Sequence, residues 1–252
     1  MGHNLLLEIG LEEIPAHIVI PSQEQLAERI QAFLQENRLP FGEVETFSTP
    51  RRLAVLIHSL VEKQNDEKKI VKGPAKHIAL SEDGTWTKAA QGFVKGQGLT
   101  TDDIYFKEIK GVEYVHVEKF IPGEMTMEIV KHLDKVVTAM TFPVSMHWAD
   151  YSLRYIRPIH WIVALLDETI IPFTILDVKT GRESSGHRFL GKEISISTAS
   201  DYEADLKGEY VIANAKQREH LIVSQIQKLA DDNGWVIDFD EDLLEEVTNL
   251  VE

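Results

Sequence analysis

Two apolar-rich segments, 43–48 and 53–60, flank the sequence Thr49-Pro50-Arg51-Arg52. The second segment alternates between apolar and other residues, which is typical of a half-buried strand. Pro50 fixes its own φ and disfavours a helical conformation at Thr49, so the break between the segments is stiff. The pattern therefore predicts two strands joined by a rigid turn. It also places two permanently charged guanidinium groups at the start of the second strand.

The order of elements around this turn predicts the fold class. Residues 4–10 have the pattern of a strand, and residues 22–37 that of an amphipathic helix with a capping box at Ser22 and Gln25. Segment 155–166 is apolar enough to form a strand buried on both faces. We therefore expect an α+β fold with antiparallel or mixed sheets, helices packed on them, and more than one subdomain.

Changes in composition divide the chain into four predicted segments. These are an N-terminal strand-helix-strand-strand layer (1–62), a helical and strand subdomain (63–142), a sheet-rich core (143–200) and an acidic helical segment (201–252). Within the second segment, residues 62–72 predict an exposed linker, and residues 124–138 predict one amphipathic helix. The last helix keeps its apolar face up to Glu252 without a glycine or proline stop, so we expect the chain to be part of a longer one.

Composition limits the compartment and the covalent chemistry. The chain has no cysteine, which excludes disulfides and thiolate metal sites and favours a reducing cytoplasm. No apolar run approaches the ~20 residues of a membrane helix. The first apolar run, Leu5-Leu6-Leu7, is interrupted by Glu8, so no signal peptide is expected. The sequence thus predicts a cytoplasmic protein without a membrane partner.

Negative charge is concentrated near the end of the sequence. The formal net charge is −15, but residues 201–252 alone carry 14 acidic and 4 basic side chains. Residues 145–192 carry 6 basic against 5 acidic side chains. A surface that binds an anion is therefore expected within the first 200 residues, and the acidic segment is expected to face solvent or a basic partner.

Catalytic and metal-binding motifs are absent from the sequence. There is no phosphate-binding glycine loop, no Gly-x-Ser-x-Gly elbow and no His-Glu-x-x-His pair. His147, His160 and His187 do not have the spacing of a compact ligand set. We therefore predict no catalytic residue, no metal site and no cofactor in this chain.

Basic residues next to aromatic ones are the remaining candidates for a binding site. The candidate RNA-binding residues are Arg51, Arg52, Arg157, His187 and Arg188. Guanidinium groups bind phosphate, and neighbouring rings can stack on unpaired bases. Two other interpretations stay open. The arginines could be solvated at a turn, or Arg51 and Arg52 could pair internally with carboxylates such as Glu8 or Glu12.

Several short motifs, in a fixed order along the chain, carry a family resemblance. They are Leu5-Leu6-Leu7-Glu8-Ile9-Gly10-Leu11-Glu12-Glu13-Ile14-Pro15-Ala16, Thr49-Pro50-Arg51-Arg52-Leu53-Ala54, Lys72-Gly73-Pro74-Ala75, Lys88-Ala89-Ala90-Gln91-Gly92-Phe93, Arg157-Pro158-Ile159-His160 and Gly186-His187-Arg188-Phe189-Leu190-Gly191. Together they resemble the β subunits of bacterial heterotetrameric glycyl-tRNA synthetases. Leu11 and Ile14 depart slightly from the family pattern.

The resemblance implies a division of labour between subunits. An α subunit would carry the class II catalytic site that uses ATP and Mg²⁺, in an α₂β₂ assembly. The β subunit would recognise tRNA(Gly) and continue into further C-terminal domains beyond this segment. The alternative is a structural scaffold for the α subunit and the remaining β domains, without tRNA contact. A hydrolytic, editing-like pocket is a third possibility that rests on fold analogy alone.

Overall fold

The computed structural model describes residues 2–252. Its longer strands are β1 (His3–Leu11), β2 (Val44–Thr49), β3 (Arg52–Leu60), β4 (Glu67–Ala75), β5 (Tyr105–Ile109), β6 (Val112–Ile121) and β7 (Ile159–Leu166). The shorter ones are β8 (Thr169–Ile170), β9 (Thr174–Ile175), β10 (Val178–Gly181), β11 (Glu183–Ser185) and β12 (Glu193–Ser195). The helices are α1 (Ala16–Glu36), α2 (Lys76–Ala79), α3 (Lys88–Gly96), α4 (Thr126–Val130), α5 (Asp134–Thr138), α6 (Tyr202–Gly208), α7 (Ala215–Asn233) and α8 (Glu241–Thr248).

The described chain forms two compact units. Unit 1 comprises residues 2–63 and 125–252, and unit 2 comprises Gln64–Glu124. Of the four predicted segments, the first, third and fourth lie almost wholly within unit 1, and the second is shared between the units. The four-segment division stays a prediction about folding domains. Within residues 2–252, no helix has the length and apolarity needed to cross a bilayer.

Unit 1 is built on a mixed sheet. The strand order is β2-β3-β1-β7-β10-β9, and β8 pairs with β7 at the side. Strand β1 is antiparallel to both β3 and β7, whereas β10 runs parallel to β7. The predicted α+β class with mixed sheets and packed helices is confirmed. The predicted pair of strands around Pro50 is also present, as the antiparallel pair β2 and β3.

Apolar side chains cover both faces of this sheet. On one face, Leu5, Leu7 and Ile9 of β1 pack in a large core that includes residues of α1. On the other face, Leu6 packs in a second core that includes Tyr202 and Leu206 of α6. The central strands β1 and β7 are therefore buried on both sides, as the continuous apolar pattern of 155–166 predicted for β7.

Helix α1 begins six residues earlier than predicted. It starts at Ala16 and contains Pro21, and Ser22 is buried inside it instead of capping it. Ile18 and Val19 are buried in the main core. Burying each is worth about 1.5–3 kcal/mol, which offsets the ~3 kcal/mol cost of a proline in a helix. The predicted capping box was therefore wrong because tertiary packing outweighed the local signal.

Two further predictions of secondary structure require correction. Residues 67–72 belong to strand β4, which pairs with β6, and not to a linker. Polar composition concealed this strand because most of its side chains are exposed. The predicted helix 124–138 is two short helices, α4 and α5, separated by a turn. Val130, Leu133 and Val137 are all buried in the main core, so the predicted apolar face is kept although the helix is interrupted.

Unit 2 consists of a three-stranded antiparallel sheet with two helices. The strand order is β4-β6-β5. Ala79 of α2, Ala90 of α3 and Val115 of β6 form its small core. Thr87 caps α3, with its hydroxyl accepting a hydrogen bond from the backbone N–H of Ala90.

Candidate functional site

A buried carboxylate lies on the α6 side of the main sheet. Glu8 follows Leu7 in β1, so its side chain lies on the same face of the sheet as that of Leu6, and it is fully buried. One of its oxygens accepts hydrogen bonds from Trp161 Nε1 and Ser184 Oγ, and the other accepts from the Tyr202 hydroxyl. Arg52 Nη1 lies 3.6 Å from this second oxygen. The carboxylate is thus surrounded by donors, as a buried charge requires.

The donors around Glu8 keep their protons. Burial, followed by the charge of Glu8, raises the pKa of Tyr202 well above its usual value. The phenol therefore remains a hydrogen-bond donor at neutral pH. Arg52 lies 5.8 Å from the ring centroid of Trp161, within cation–π range. These groups hold one another in place, so their arrangement is typical of a structural ion pair.

The structure places Arg52 inside the protein. Its side chain has no exposed surface. Its Nη2 donates to the Ser185 carbonyl at 2.7 Å, and Nη1 and Nε donate to Ser184 Oγ and Thr49 Oγ1 at 3.3 Å. Glu252 lies 3.7 Å from Nη2. An external phosphate has no accessible edge of this guanidinium to bind, so we do not propose Arg52 as a phosphate contact.

Arg51 also turns inward, towards the end of α8. Its Nε and Nη2 donate to the two carboxylate oxygens of Glu252, each at 2.8 Å, and Nη2 donates to the Gly186 carbonyl. Only 11% of the Arg51 side chain and 8% of the Glu252 side chain are exposed. This is a bidentate pair, the strong form of an arginine–carboxylate contact. Neither arginine is a solvated turn residue, as one interpretation of the sequence had it.

Internal pairing with carboxylates such as Glu8 or Glu12 was one of the interpretations left open for both arginines. Arg52 does contact Glu8. Glu12, the other suggestion, lies 3.0 Å from His160 and 3.9 Å from Arg188 instead. The pairing of Arg51 with Glu252 was not predicted.

The charge of Glu252 is favoured by its arginine partners. Burial alone would raise its pKa, but hydrogen bonds from Arg51 and the charges of Arg52 and Arg51 lower the pKa below the ordinary 4.5. A carboxylate with a lowered pKa contributes stability above its ordinary pKa, and this stability is lost as pH falls through the lowered value. The α8 segment should therefore be held by a contact that weakens in acid.

We expect Glu252→Gln to lower the free energy of unfolding by about 1 kcal/mol at pH 7, because the amide still accepts one neutral hydrogen bond. The difference from wild type should shrink as pH falls from ~7 to ~3. Urea titrations at several pH values measure this. Glu246→Gln, at an exposed position of α8, is the control. A difference that is independent of pH would contradict the ionic role of Glu252.

A second fully buried arginine, besides Arg52, was missed by the sequence analysis. Arg218 of α7 is 2% exposed, and its guanidinium donates to the carbonyls of Ser48, Ile212 and Thr248 at 2.6–2.9 Å. Burial lowers its pKa to about 10, opposed by the charge of Glu252 and reinforced by that of Arg52. The signal was its position four residues before Ile222, in line with the apolar face of the helix.

The loop that contains His187 and Arg188 is the exposed part of the site. Arg188 is 40% exposed and lies 2.7 Å from Glu13. The His187 ring nitrogen Nδ1 accepts from the backbone N–H groups of Phe189 and Leu190, so the ring caps its own turn. Phe189 is 84% exposed. A cation and an uncovered aromatic ring therefore stand side by side in solvent.

Arg157 lies at the edge of this region, and part of its guanidinium is already hydrogen-bonded to the backbone. Its Nε donates to the Glu13 carbonyl at 2.9 Å, and Nη1 donates to the Ile156 carbonyl at 3.0 Å. These bonds fix the backbone that presents Glu13 to Arg188. Arg157 is therefore better placed to position the loop contacts than to bind a ligand by itself.

A cleft of about 200 Å³ brings several of the predicted residues together. Its lining is formed by Glu13, Pro50, Arg51, His187, Arg188, Phe189, Leu250, Val251 and Glu252. Arg52 and Arg157 do not line it. Among residues 2–252, no group of three or more histidine or carboxylate side chains is arranged to hold a metal ion. The cleft has basic, acidic and apolar walls, and its volume lies below the ~300–1,000 Å³ that is usual for small-molecule sites.

Comparison with known proteins assigns the family. The sequence model described as "Glycyl-tRNA synthetase beta subunit" matches residues 5–252. The chain is 59% identical to the glycine–tRNA ligase β subunit of Levilactobacillus brevis and 55% identical to that of Limosilactobacillus fermentum, in each case over all 252 residues. It spans 36% of the length of these relatives. The chain therefore belongs to the glycyl-tRNA synthetase β-subunit family.

Proposed function

We infer that this chain is the tRNA-engaging and assembly portion of a glycine–tRNA ligase β subunit. In this proposal the α subunit charges tRNA(Gly) with glycine, using ATP and Mg²⁺ that it binds itself. The β subunit joins it in an α₂β₂ assembly in the cytoplasm. The present residues carry no catalytic group and act by holding RNA and neighbouring protein domains in position.

The exposed Arg188–Phe189 pair supports tRNA contact most directly. Arg188 is balanced by Glu12 and Glu13 on the surface, where an ion pair is worth only about 0–1 kcal/mol. A phosphate can therefore displace these carboxylates at small cost. Phe189 has a free face for a base. Of the five predicted residues, Arg188 is the one that is both charged and open to solvent.

Exchanging Arg188 for alanine should weaken tRNA binding by about 3- to 10-fold and lower the dependence of affinity on salt, since about one phosphate contact is lost. Binding of tRNA(Gly) to the full-length β subunit reconstituted with α can be measured by fluorescence anisotropy between 50 and 300 mM salt. Arg154→Ala is the matched control, because Arg154 is an exposed arginine that makes no contact with a carboxylate in the described chain. Equal affinities for the two variants would contradict tRNA contact at this loop.

A structural scaffold is the second candidate function, and a specific observation favours it. Arg51, Arg52 and Arg218 converge on the end of α8 and attach it to the main sheet. If Arg188→Ala leaves tRNA binding unchanged while stability depends on the buried arginines, this function is preferred. The two candidates use different residues, so the same set of variants separates them.

A further inference from the structure

One face of the sheet of unit 2 is open and carries alternating aromatic and basic side chains. We call it the open sheet face, and its main residues are Lys68, Lys72, Tyr105, Lys107, Tyr114 and Phe120. They share a face because Lys68 is paired with Phe120, Lys107 with Tyr114, and both Lys72 and Tyr105 with His116 of the central strand. The face is thus a single surface across three strands.

The opposite side of this sheet is the covered one. Val115 and Phe106 pack there against Ala79 and Ala90 of the two helices. An antiparallel sheet with one packed face normally carries polar side chains on the other. Here the open side instead leaves Phe120 56% exposed. Ile70, which is paired with Glu118 on the same face, is 55% exposed as well, and neighbouring uncovered apolar side chains mark an interaction surface.

The rings of the open sheet face are held ready for contact. Tyr105 stacks on His116 with ring centroids 5.7 Å apart and an interplanar angle of 30°. His116 is buried, whereas Tyr105, its partner on the neighbouring strand, is 38% exposed. The Lys72 ammonium lies 3.4 Å from the centroid of the Tyr114 ring. Ring and cation positions are therefore set before any ligand arrives.

The charge of this face differs from that of the rest of the protein. Unit 2 contains nine lysines and ten acidic residues, whereas the remaining residues carry 17 basic and 31 acidic side chains. On the face itself, three lysines stand against one carboxylate, Glu118, which is engaged by Lys68 at 2.8 Å. Lys72 and Lys107 are exposed without a carboxylate partner in the described chain. The face is locally cationic on an acidic protein.

We propose that the open sheet face binds unpaired nucleotides of an RNA, with bases stacked on Phe120 and Tyr105 and phosphates held by Lys72 and Lys107. Aromatic side chains on an exposed sheet bind single-stranded RNA by stacking, and the lysines that surround them attract the backbone. The RNA is tRNA, and this identification rests on the function proposed above. A protein partner is disfavoured because the cores of protein interfaces are depleted in lysine.

The test uses the full-length β subunit reconstituted with α and measures tRNA(Gly) binding by anisotropy. Phe120→Leu keeps the apolar volume but removes the ring, so it should weaken binding by about 5- to 50-fold, and Tyr105→Ala should do the same. Tyr105→Phe should bind like wild type. Ile78→Ala is the control, since Ile78 is a 50% exposed apolar residue on α2. Thermal melting of each variant checks the fold.

The lysines give an independent measurement. Lys72→Gln and Lys107→Gln should each lower the slope of log affinity against log salt by about 0.7. Lys88→Gln and Lys95→Gln, on α3, should leave it unchanged. The proposal would be overturned if the Phe120, Tyr105 and lysine variants bound tRNA with wild-type affinity. It would also be overturned if these variants lost their association with the α subunit but still bound tRNA. If Arg188→Ala alone weakens binding, the open-face proposal fails while the proposed function stands. If neither surface matters, both fail.

Discussion

Replacing Arg52 with alanine should lower the free energy of unfolding by about 3–5 kcal/mol. The guanidinium has no exposed surface and faces Glu8, which is also fully buried. Removing it leaves an uncompensated carboxylate inside the second core and takes away a donor to the Ser185 carbonyl, whereas Glu252 keeps its two hydrogen bonds from Arg51. Arg52→Lys should also be costly, because a point charge cannot replace the planar fork of bonds.

Chemical denaturation of the chain at pH 7, followed by circular dichroism, measures this loss. Arg188→Ala, at the exposed loop, should change stability by less than about 0.5 kcal/mol. The double variant Arg52→Met/Glu8→Gln should be more stable than Arg52→Ala, because no buried charge is left without a partner. A loss below about 1 kcal/mol for Arg52→Ala would contradict the role of Arg52 as the buried partner of Glu8.

Gly10→Ala should destabilise unit 1 by about 2–3 kcal/mol. Gly10 lies on β1 directly opposite both Arg52 and Trp161. A Cβ atom at this position would lie 1.9 Å from Cδ2 of Trp161, far inside contact distance. The indole would have to move, and with it the hydrogen bond from Trp161 Nε1 to Glu8.

The matched control is Gly208→Ala, since a Cβ on Gly208 meets no atom within 4 Å. It lies in the last turn of α6, where alanine should be neutral or slightly stabilising. Thermal melts of the two variants give the comparison, and tryptophan fluorescence reports the displacement of the indole. Equal melting temperatures would contradict the predicted clash between a Cβ at position 10 and the indole of Trp161.

The two stability predictions also bear on function. If Arg52 and Gly10 act only through the fold, their variants should lose tRNA binding no faster than they lose folded protein. Arg188 and the open sheet face should behave in the opposite way, with binding lost and stability kept. The variants therefore separate the structural arginines from the exposed groups that we propose as RNA contacts.

Local sequence patterns predicted much of the secondary structure because they depend on neighbours along the chain. The alternation after Pro50 identified β3, and the continuous apolar run identified β7 as a strand covered on both faces. The same reasoning failed for β4, whose charged side chains are exposed while its backbone pairs with β6. It also failed at the start of α1, where core packing tolerates Pro21.

For the candidate site, the sequence predicted which types of residue are present but not where their side chains point. Arg51, His187 and Arg188 do meet at one cleft. Arg52 was grouped with them because it is adjacent to Arg51. The missed contact, Arg218, is a lone arginine that no motif marks. The open sheet face was also missed, since its aromatic and basic residues come from three separate strands.

By itself, the sequence determined the family, the α+β class and the presence of paired arginines at a stiff turn, because motifs, alternation and proline geometry are local properties. Only the tertiary structure decided that Arg52 is buried and that Arg188 is exposed. The partners of the two arginines at the turn include Ser184, 132 residues from Arg52, and Glu252, 201 residues from Arg51. Contacts between residues far apart in the sequence decide whether a guanidinium is buried against carboxylates or exposed to solvent. The residues next to an arginine in the sequence do not determine these contacts.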